Sequence, residues 1–341
     1  MNWYLQSGKD SDVVVSSKIN LSRNLAGFPF KLKTQKQIQE LEEKIQSKLY
    51  AIGYGLKYFS LKNMDDITKV SLVEKKLIPE DYAFDKNCKG SILINDEENI
   101  CILVNDLDHI EIQVFSSGFD LENTLGLAIE IDQKIESVLG GYAVSEKYGY
   151  LTKDPTKCGT ALNASVMLNL PALQKTGNLR KVFDAMANFE VNISAFYEEN
   201  AKQYTDIFRI CNQRTIGISE KEIIENLKII VQKIIEQERK VRRFLAEDSI
   251  TFSDKIYRSY GILKYCKRIS LDEVTEILSY IKMGVDLGIL KEVTDLQVQK
   301  LYLYTKTANM QKVLGQTYEP KEQEKKRAEV IKQILDGTLD V

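Results

Sequence analysis

The hydrophobic period changes several times along the chain, and each change marks a predicted element. Residues 12–17, "DVVVSS", form a short β-branched run that predicts a strand. In "TQKQIQELEEKIQSKLYAIG" the apolar residues Ile38, Leu41, Ile45 and Leu49 recur at helical spacing, and Thr34 with Gln37 predicts a capping-box start. From Ser91 the period shortens to that of strands. "SILIN", "ICILV" and "HIEIQVF" are separated by the polar turns "DEEN" and "DLD", the pattern of an antiparallel meander. In the last of these runs Ile110, Ile112 and Val114 alternate with His109, Glu111 and Gln113, so His109 and Glu111 are expected on one face.

"LENTLGLAIEIDQKIESVL" returns to a helical period. A Gly/Tyr-rich connection follows, then "YGYLTKDPTKCGTALNASVMLNLPAL", where Pro155 and Gly159 mark a loop returning into the buried strand "ASVMLNL". A long helix is expected from Ser219, whose hydroxyl forms a capping box with Glu222, through "EIIENLKIIVQKIIEQERKVRRFL". Residues 246–255, "AEDSITFSDK", are polar and read as a hinge between two domains. Beyond them the chain looks wholly helical, with Ser270 and Glu273 capping one start. There Val274, Ile277, Leu278, Ile281, Val285 and Leu287 lie largely on one stripe, more apolar surface than an isolated helix leaves exposed.

Composition narrows the chemistry. A chain of 341 residues, 43% hydrophobic and 28% charged, can bury two cores. Its formal net charge of −2 gives no electrostatic argument for nucleic acid or anionic membrane as a partner. The five cysteines, Cys88, Cys101, Cys158, Cys211 and Cys266, never fall in CxxC spacing and read as reduced thiols. The N-terminus lacks an apolar signal-type run and no stretch approaches the roughly 18 apolar residues of a membrane span, so a cytoplasmic location is expected. A single histidine argues against His-rich zinc sites and binuclear metal centres, and no metal ligand set is expected. Neither GxGxxG nor GxxxxGK[ST] occurs.

Five blocks carry a more specific signal than periodicity. "DSDVVVSSKINLSRNLAGFPF", "LVNDLDHIEIQVF", "YGYLTKDPTKCGTALNASVMLNLPAL", "IFRICNQRTIGISEKEII" and "YRSYGILKYCKRISLDEVTEILSYIKMGVDLGIL" stand in the order, and at about the spacing, of the bacterial protein arginine kinases (McsB type). The chain resembles that branch of the phosphagen (guanidino) kinases from about Trp3 onward. The resemblance implies an α+β fold: a phosphagen-kinase-like catalytic domain, an antiparallel sheet flanked by helices, over residues 1–245, then an all-helical dimerisation or regulatory domain over residues 246–341. The implied chemistry is phosphoryl transfer from ATP, with magnesium, to a guanidinium nitrogen. Such a site must neutralise phosphate charge and orient the guanidinium with carboxylates. The family does so with arginines, whose planar fork binds phosphate oxygens bidentately and stays charged.

The arginine positions are therefore the test, and this chain departs from them. The family's "SSRxR" appears as "SSKIN": Ser16 and Ser17 are kept, Lys18 stands at the first arginine and Asn20 at the second. "NEEDHxR" appears as "NDLDHIE", keeping Asn105, Asp108 and His109, with Leu107 at a catalytic glutamate and Glu111 at an arginine. In "DPTKCGTALNAS" the family's cysteine position holds Asp154 and its arginine position Asn163. "RGxYGEG" aligns with "SAFYEEN", placing Ser194 at the arginine and Glu198 and Asn200 at glycines, and a histidine common in "LVEKHLI" is Lys76. The "RDxxRA" motif that recognises phosphoarginine appears as "QEKKRA", keeping Glu324, Arg327 and Ala328.

Each charge-assisted hydrogen bond to phosphate contributes roughly 1.5 to 3 kcal/mol, so losing three removes at least about 4.5 kcal/mol, on the order of a thousandfold in nucleotide affinity. The leading expectation is a catalytically impaired protein arginine kinase homologue, a pseudokinase with no tightly bound cofactor, serving as a regulatory or binding subunit in protein quality control. Its expected partners are a second copy or an intact protein arginine kinase, with Clp-type unfoldase machinery a further candidate. The alternatives are an active kinase in which Lys18, Lys76 and Asp108 take over phosphate and guanidinium roles, and a structural dimer scaffold. Blander readings stand beside these. His109 would serve packing, Asp106 and Asp108 a tight turn, Lys18 and Arg23 the solvated surface, and "QEKKRA" a basic helix end.

Overall fold

A computed structural model describes residues 2–32, 34–49, 52–85, 90–186, 189–195, 206–247 and 249–339. The first part of the chain runs β1 (Val14–Arg23), α1 (Gln35–Leu49), β2 (Lys57–Ser60), α2 (Asp66–Glu74), α3 (Glu80–Ala83), β3 (Ser91–Ile94), β4 (Ile100–Val104), β5 (Ile110–Ser117) and α4 (Leu121–Leu139). The short β6 (Val144–Ser145) and β7 (Gly149–Tyr150) precede β8 (Leu162–Asn169), α5 (Pro171–Lys175), α6 (Leu179–Met186), β9 (Val191–Ala195) and β10 (Ile207–Asn212). Helices complete the chain: α7 (Glu220–Glu247), α8 (Ser249–Tyr265), α9 (Leu271–Asp286), α10 (Asp295–Tyr304), α11 (Thr307–Leu314) and α12 (Pro320–Leu335).

Eight strands among the described residues form one antiparallel sheet in the order β2-β3-β4-β5-β1-β8-β10-β9. The predicted meander is its β3–β5 part. β1 is longer than its β-branched start suggested and lies centrally, pairing with both β5 and β8. Side-chain alternation then divides the sheet into two faces. Ile19, Leu21, Ile110, Ile112, Val114, Leu162, Ala164, Val166, Phe208 and Ile210 pack on one face with Ile38, Leu41, Ile45 and Leu49 of α1 and with apolar residues of α4 and α7. At roughly 25 cal/mol per Å² of apolar area removed from water, this layer is the main source of stability for the sheet.

Lys18, Asn20, Glu111, Gln113, Asn163, Ser165 and Arg209 alternate with those apolar residues and so belong to the other face. At the β2–β5 end that face is covered by Trp3, Leu61, Leu72, Leu77 and Ile78. The helices after α7 form a further buried cluster around Ile256, Val274, Leu278, Ile281, Leu301 and Ile331.

Two expectations need correction. Residues 246–255 do not form a polar hinge loop: apart from residue 248, which lies outside the described residues, they are helical, and Phe252 and Ile256 are buried four residues apart. The α9 stripe is not a free surface either. Val274, Ile277, Leu278 and Ile281 are buried inside their own bundle, with Val285 and Leu287 packed against it. Among the described residues no helix is long and apolar enough to cross a membrane.

Candidate functional site

The turn between β4 and β5 answers what the one histidine does. Asn105 adopts a left-handed φ of 61°, which its short amide side chain tolerates, and its N–H donates to the His109 carbonyl at 2.9 Å. Residues 24–29, after β1, fold back over this turn. Leu25 N–H donates to His109 Nδ1 at 3.1 Å, which leaves Nε2 as the donor to the Pro29 carbonyl at 3.0 Å. Asn24 bridges the same turn: its Oδ1 accepts from His109 N–H at 3.0 Å and its Nδ2 donates to Asp108 Oδ1 at 2.6 Å. Asp108 Oδ1 also accepts from Lys153 N–H at 2.7 Å. His109 and Asp108 are thus buried staples, with Asp108 Oδ1 engaged by Asn24 and Lys153. β5 starts at Ile110, so His109 belongs to the turn, while Glu111 bonds across the polar face.

Burial holds His109 below the ordinary imidazole range. Below about 6.5 the unfolded chain gains a proton that the folded chain resists, so this contribution to stability is present at neutral pH and lost as pH falls. Asp106 acts in the opposite sense: burial, then Glu111, push its carboxyl up to about 7, so it favours the folded state less as pH rises toward that value. The wild-type advantage over His109→Gln in denaturant unfolding is therefore expected to narrow between about pH 7.5 and about pH 5.5. The single imidazole should titrate below 6.5 by NMR, and a higher value would contradict the buried neutral tautomer.

Lys18, Asn20, Glu111, Asn163 and Ser194 lie on the polar face of the sheet. Asn20 lies opposite Gln113 on β5 and Asn163 on β8, and its Nδ2 donates to Glu111 Oε2 at 3.0 Å. The Asn20 and Glu111 side chains thus engage each other across two strands. Asn163 accepts a hydrogen bond from the Arg209 guanidinium, which reaches along β10 from its pairing position opposite Met167. Ser194 is exposed on the edge strand β9, directly opposite Arg209. Lys18 lies between Phe115 and Ser165, its ammonium 4.8 Å from the Phe115 ring centre. Burial, then the nearby Arg209, push its pKa down to about 8, against the opposing pull of Glu111.

Ser16 is buried on this polar face. Ser17 points the other way, its Oγ accepting from Asp120 N–H at 3.0 Å and donating to the Gly118 carbonyl at 2.9 Å, which fixes the entry into α4. A cavity of about 280 Å³ opens between the sheet and the helical bundle, lined among others by Lys18, Lys76, Met167, Arg209, Leu278 and Tyr302. Lys76, at a left-handed φ of 64° just after α2, is brought to this cavity by the fold.

Leu107 is 48% exposed. Asp154 caps the turn at 155–157, accepting from Thr156 N–H at 3.0 Å and Thr156 Oγ1 at 2.8 Å. Gly159 holds this loop in place: its φ is 100° and a Cβ there would stand 2.2 Å from the Thr215 carbonyl oxygen. Arg23 is not a surface charge but a buried partner of Asp132, 2.7 Å away, stacked on Tyr150. Glu198 and Asn200 lie outside the described residues. In α12, buried Arg327 donates to the Thr305 carbonyl at 2.8 Å, the Ile269 carbonyl at 3.0 Å and Thr307 Oγ1 at 3.3 Å. Ala328 is buried beside it, and the Glu324 carboxylate stands 4.0 Å from Arg268.

For a nucleotide phosphate and its magnesium, these residues fit in part. The Lys18–Arg209 end is cationic. The Asn20–Glu111 end carries a carboxylate. Sequence reasoning missed Arg209, whose only signal was a charged residue between Phe208 and Ile210 in a strand.

The antiparallel sheet flanked by helices is the phosphagen kinase fold. Residues 36–241 match the ATP:guanido phosphotransferase C-terminal catalytic domain, and residues 249–339 the protein-arginine kinase McsB C-terminal domain. The fold is similar to the duplicated taurocyamine kinase of Schistosoma mansoni with bound transition-state analogue components (TM-score 0.60, 24% identity, 68% of this chain and 34% of that one). Lombricine kinase is similar at TM-score 0.59, with 21% identity and 67% of each chain covered. At the sequence level, relatives named protein-arginine kinase from Halothermothrix orenii and Halalkalibacterium halodurans are each 37% identical over 338 residues, covering 98% of this chain and 96% and 94% of theirs. One from Clostridium tetani is 33% identical over 340 residues, covering 99% of both. The chain belongs to the protein-arginine kinase family.

Proposed function

We propose that this chain is a catalytically impaired protein arginine kinase homologue, acting as a binding or regulatory subunit in protein quality control. The observation that carries this reading is the Asn20–Glu111 hydrogen bond of 3.0 Å, standing where the family presents two phosphate-binding arginines. Leu107 supports it, since an aliphatic side chain neither accepts a proton nor orients a guanidinium. The test is quantitation of phosphoarginine on a protein substrate incubated with ATP and magnesium, and the expected result is none above a no-enzyme control.

An active ATP-dependent protein arginine kinase with a rearranged site is the second reading, and two observations favour it. The relatives that span this chain carry the name protein-arginine kinase. Asp106, raised to about 7, has the proton affinity of a general base at neutral pH. The relatives' names weigh toward this second reading; the chemistry of the substituted positions weighs toward the first.

A dimer with itself or with an intact protein arginine kinase, with Clp-type machinery as a further partner, belongs to the same proposal. The α9 stripe does not support it, being internal to the bundle. Support rests on the match of residues 249–339 to the family's C-terminal domain. Light scattering is expected to give the mass of a dimer for the full chain alone or mixed with an intact kinase; a monomer in both cases would end the proposal.

A further inference from the structure

The Lys18 side chain reaches a cavity without an acceptor of its own. It stands on β1 opposite Phe115 of β5 and Ser165 of β8. Its Nζ lies 4.8 Å from the centre of the Phe115 ring, and Trp3 backs that ring at 5.3 Å, stacked within 13° of parallel. Among the described residues no carboxylate or carbonyl hydrogen-bonds this nitrogen. An amine held in this way abandons no partner when it loses its proton, so its lone pair is free to attack.

The surroundings favour the neutral form. Burial withdraws the ammonium from water, and Arg209 of β10 stands near enough to oppose its charge. The Phe115 face replaces only part of the lost hydration. Arg209 donates to Asn163 and has no carboxylate partner among the described residues. Lys18 and Arg209 both line the cavity of about 280 Å³ between sheet and bundle, with Phe115, Met167 and Leu278 among its apolar walls. One enclosed space thus offers a nucleophile, an unneutralised guanidinium and room for a small molecule.

We propose that Lys18 is a reactive amine that captures a small 2-oxo acid as an imine, with Arg209 pairing with the carboxylate of that acid. The neutral Nζ attacks the ketone carbon, a C–N bond forms, and the carbonyl oxygen leaves as water with the two amine hydrogens. No electrons are exchanged and no co-reactant is needed. The carboxylate selects a 2-oxo acid over a plain ketone, because a guanidinium fork binds it bidentately. This goes beyond the impaired-kinase reading: it requires neither a nucleotide nor an arginine acceptor, and a phosphoarginine assay does not bear on it.

The test is reductive trapping on the full chain. The protein is incubated with pyruvate or, separately, with acetone, each with sodium cyanoborohydride, which reduces an imine and spares a ketone. Adducts are mapped by peptide mass spectrometry. At about pH 7.5, Lys18 should be labelled about tenfold or more faster than the exposed Lys36 and Lys221, whose amines are ordinary ones of pKa about 10.4. Arg209, Glu111 and Cys101, from β10, β5 and β4, act on Lys18, while Glu74, Lys75, Lys76, Asp206, Lys282 and Lys306 line the rest of the cavity. Cys101, pushed up to about 12 by burial, stays a thiol in this range. With Lys18 lowered to about 8, its labelling rate should rise between about pH 7 and about pH 9.

Within the wild type, the ratio of pyruvate to acetone labelling should be about tenfold higher at Lys18 than at the exposed lysines, the effect of one charge-assisted bond. Arg209→Gln should remove that excess, a readout that altered amine basicity alone does not move. Thermal unfolding verifies that the variant is folded. Labelling of Lys18 no faster than that of Lys36 and Lys221, or a midpoint near about 10, would overturn the reactive amine. Equal pyruvate-to-acetone ratios at Lys18 and at the exposed lysines, or a folded Arg209→Gln that keeps the excess, would overturn the 2-oxo acid.

Discussion

Arg242→Met is expected to destabilise the protein by about 3 to 5 kcal/mol, the usual result of removing one partner from a buried ion pair. Arg242 is 2% exposed and its guanidinium holds four groups from different parts of the chain. It donates to Glu238 at 2.7 Å, to the Asp12 carbonyl at 2.9 Å, to Asp286 at 2.9 Å and to the Asn169 carbonyl at 3.2 Å. Glu238, fully buried, in turn accepts from the Ala172 and Leu173 N–H groups at the start of α5. The cluster thus ties α7 to the segment before β1 and to β8, α5 and α9. Methionine keeps much of the volume but leaves Glu238 without a cation, and Asp286 keeps only Lys282 and its i,i+4 geometry. Combining Arg242→Met with Glu238→Leu should recover part of the loss, because no charge then remains buried without its partner at that point. Denaturant unfolding measures both. A loss under about 1 kcal/mol for the single variant would show that the cluster is hydrated rather than closed.

The second large effect concerns the cleft. Nucleotide affinity is expected to rise by on the order of a thousandfold or more when Asn20→Arg, Glu111→Arg, Asn163→Arg and Ser194→Arg are combined, since several charge-assisted bonds return together. Single reversions should gain little, for a reason visible in the structure. Asn20→Arg alone places a guanidinium beside Glu111, which would bind it in preference to phosphate. Asn163→Arg alone leaves the Glu111 carboxylate on the same face to oppose phosphate. Tight nucleotide binding by Glu111→Arg alone would contradict the claim of several independent losses.

The parts of the fold legible in the sequence are those set by local pattern. Ile38, Leu41, Ile45 and Leu49 announced α1, and the alternation around Ile110 announced β5, because burial on one side writes the period of the element into the chain. Capping pairs marked the starts of α1 and α7, with Ser219 N–H donating to Glu222 at 2.9 Å. What the period does not encode is the identity of the neighbour. The stripe Val274, Ile277, Leu278, Ile281 was evident, yet whether it faced a second copy or its own bundle depends on α8, α10 and α12. The run 246–255 read as a hinge because its charged residues hide the buried Phe252, whose partner one helical turn on, Ile256, lies just beyond it.

At the site, β1, β5, β8 and β9 carry Asn20, Glu111, Asn163 and Ser194 as strand residues of one sheet. The non-local relations were not legible: Arg209 beside Asn163 requires knowing that β10 pairs with β8, and His109 as a staple requires residues 24–29 to fold over its turn. Asp106 is a similar case. Its place in a turn was evident, but its raised proton affinity comes first from burial, which the local sequence does not encode.

The most direct measurement compares phosphoarginine formation by the wild type and by the combined Asn20→Arg, Glu111→Arg, Asn163→Arg, Ser194→Arg protein with Leu107→Glu added. Both are incubated with ATP, magnesium and the same protein substrate, and the product is quantified by mass spectrometry. The account predicts none above background from the wild type and clear formation by the reverted protein. Phosphoarginine made by the wild type at a rate comparable to the reverted protein would contradict it and establish the active, rearranged site instead.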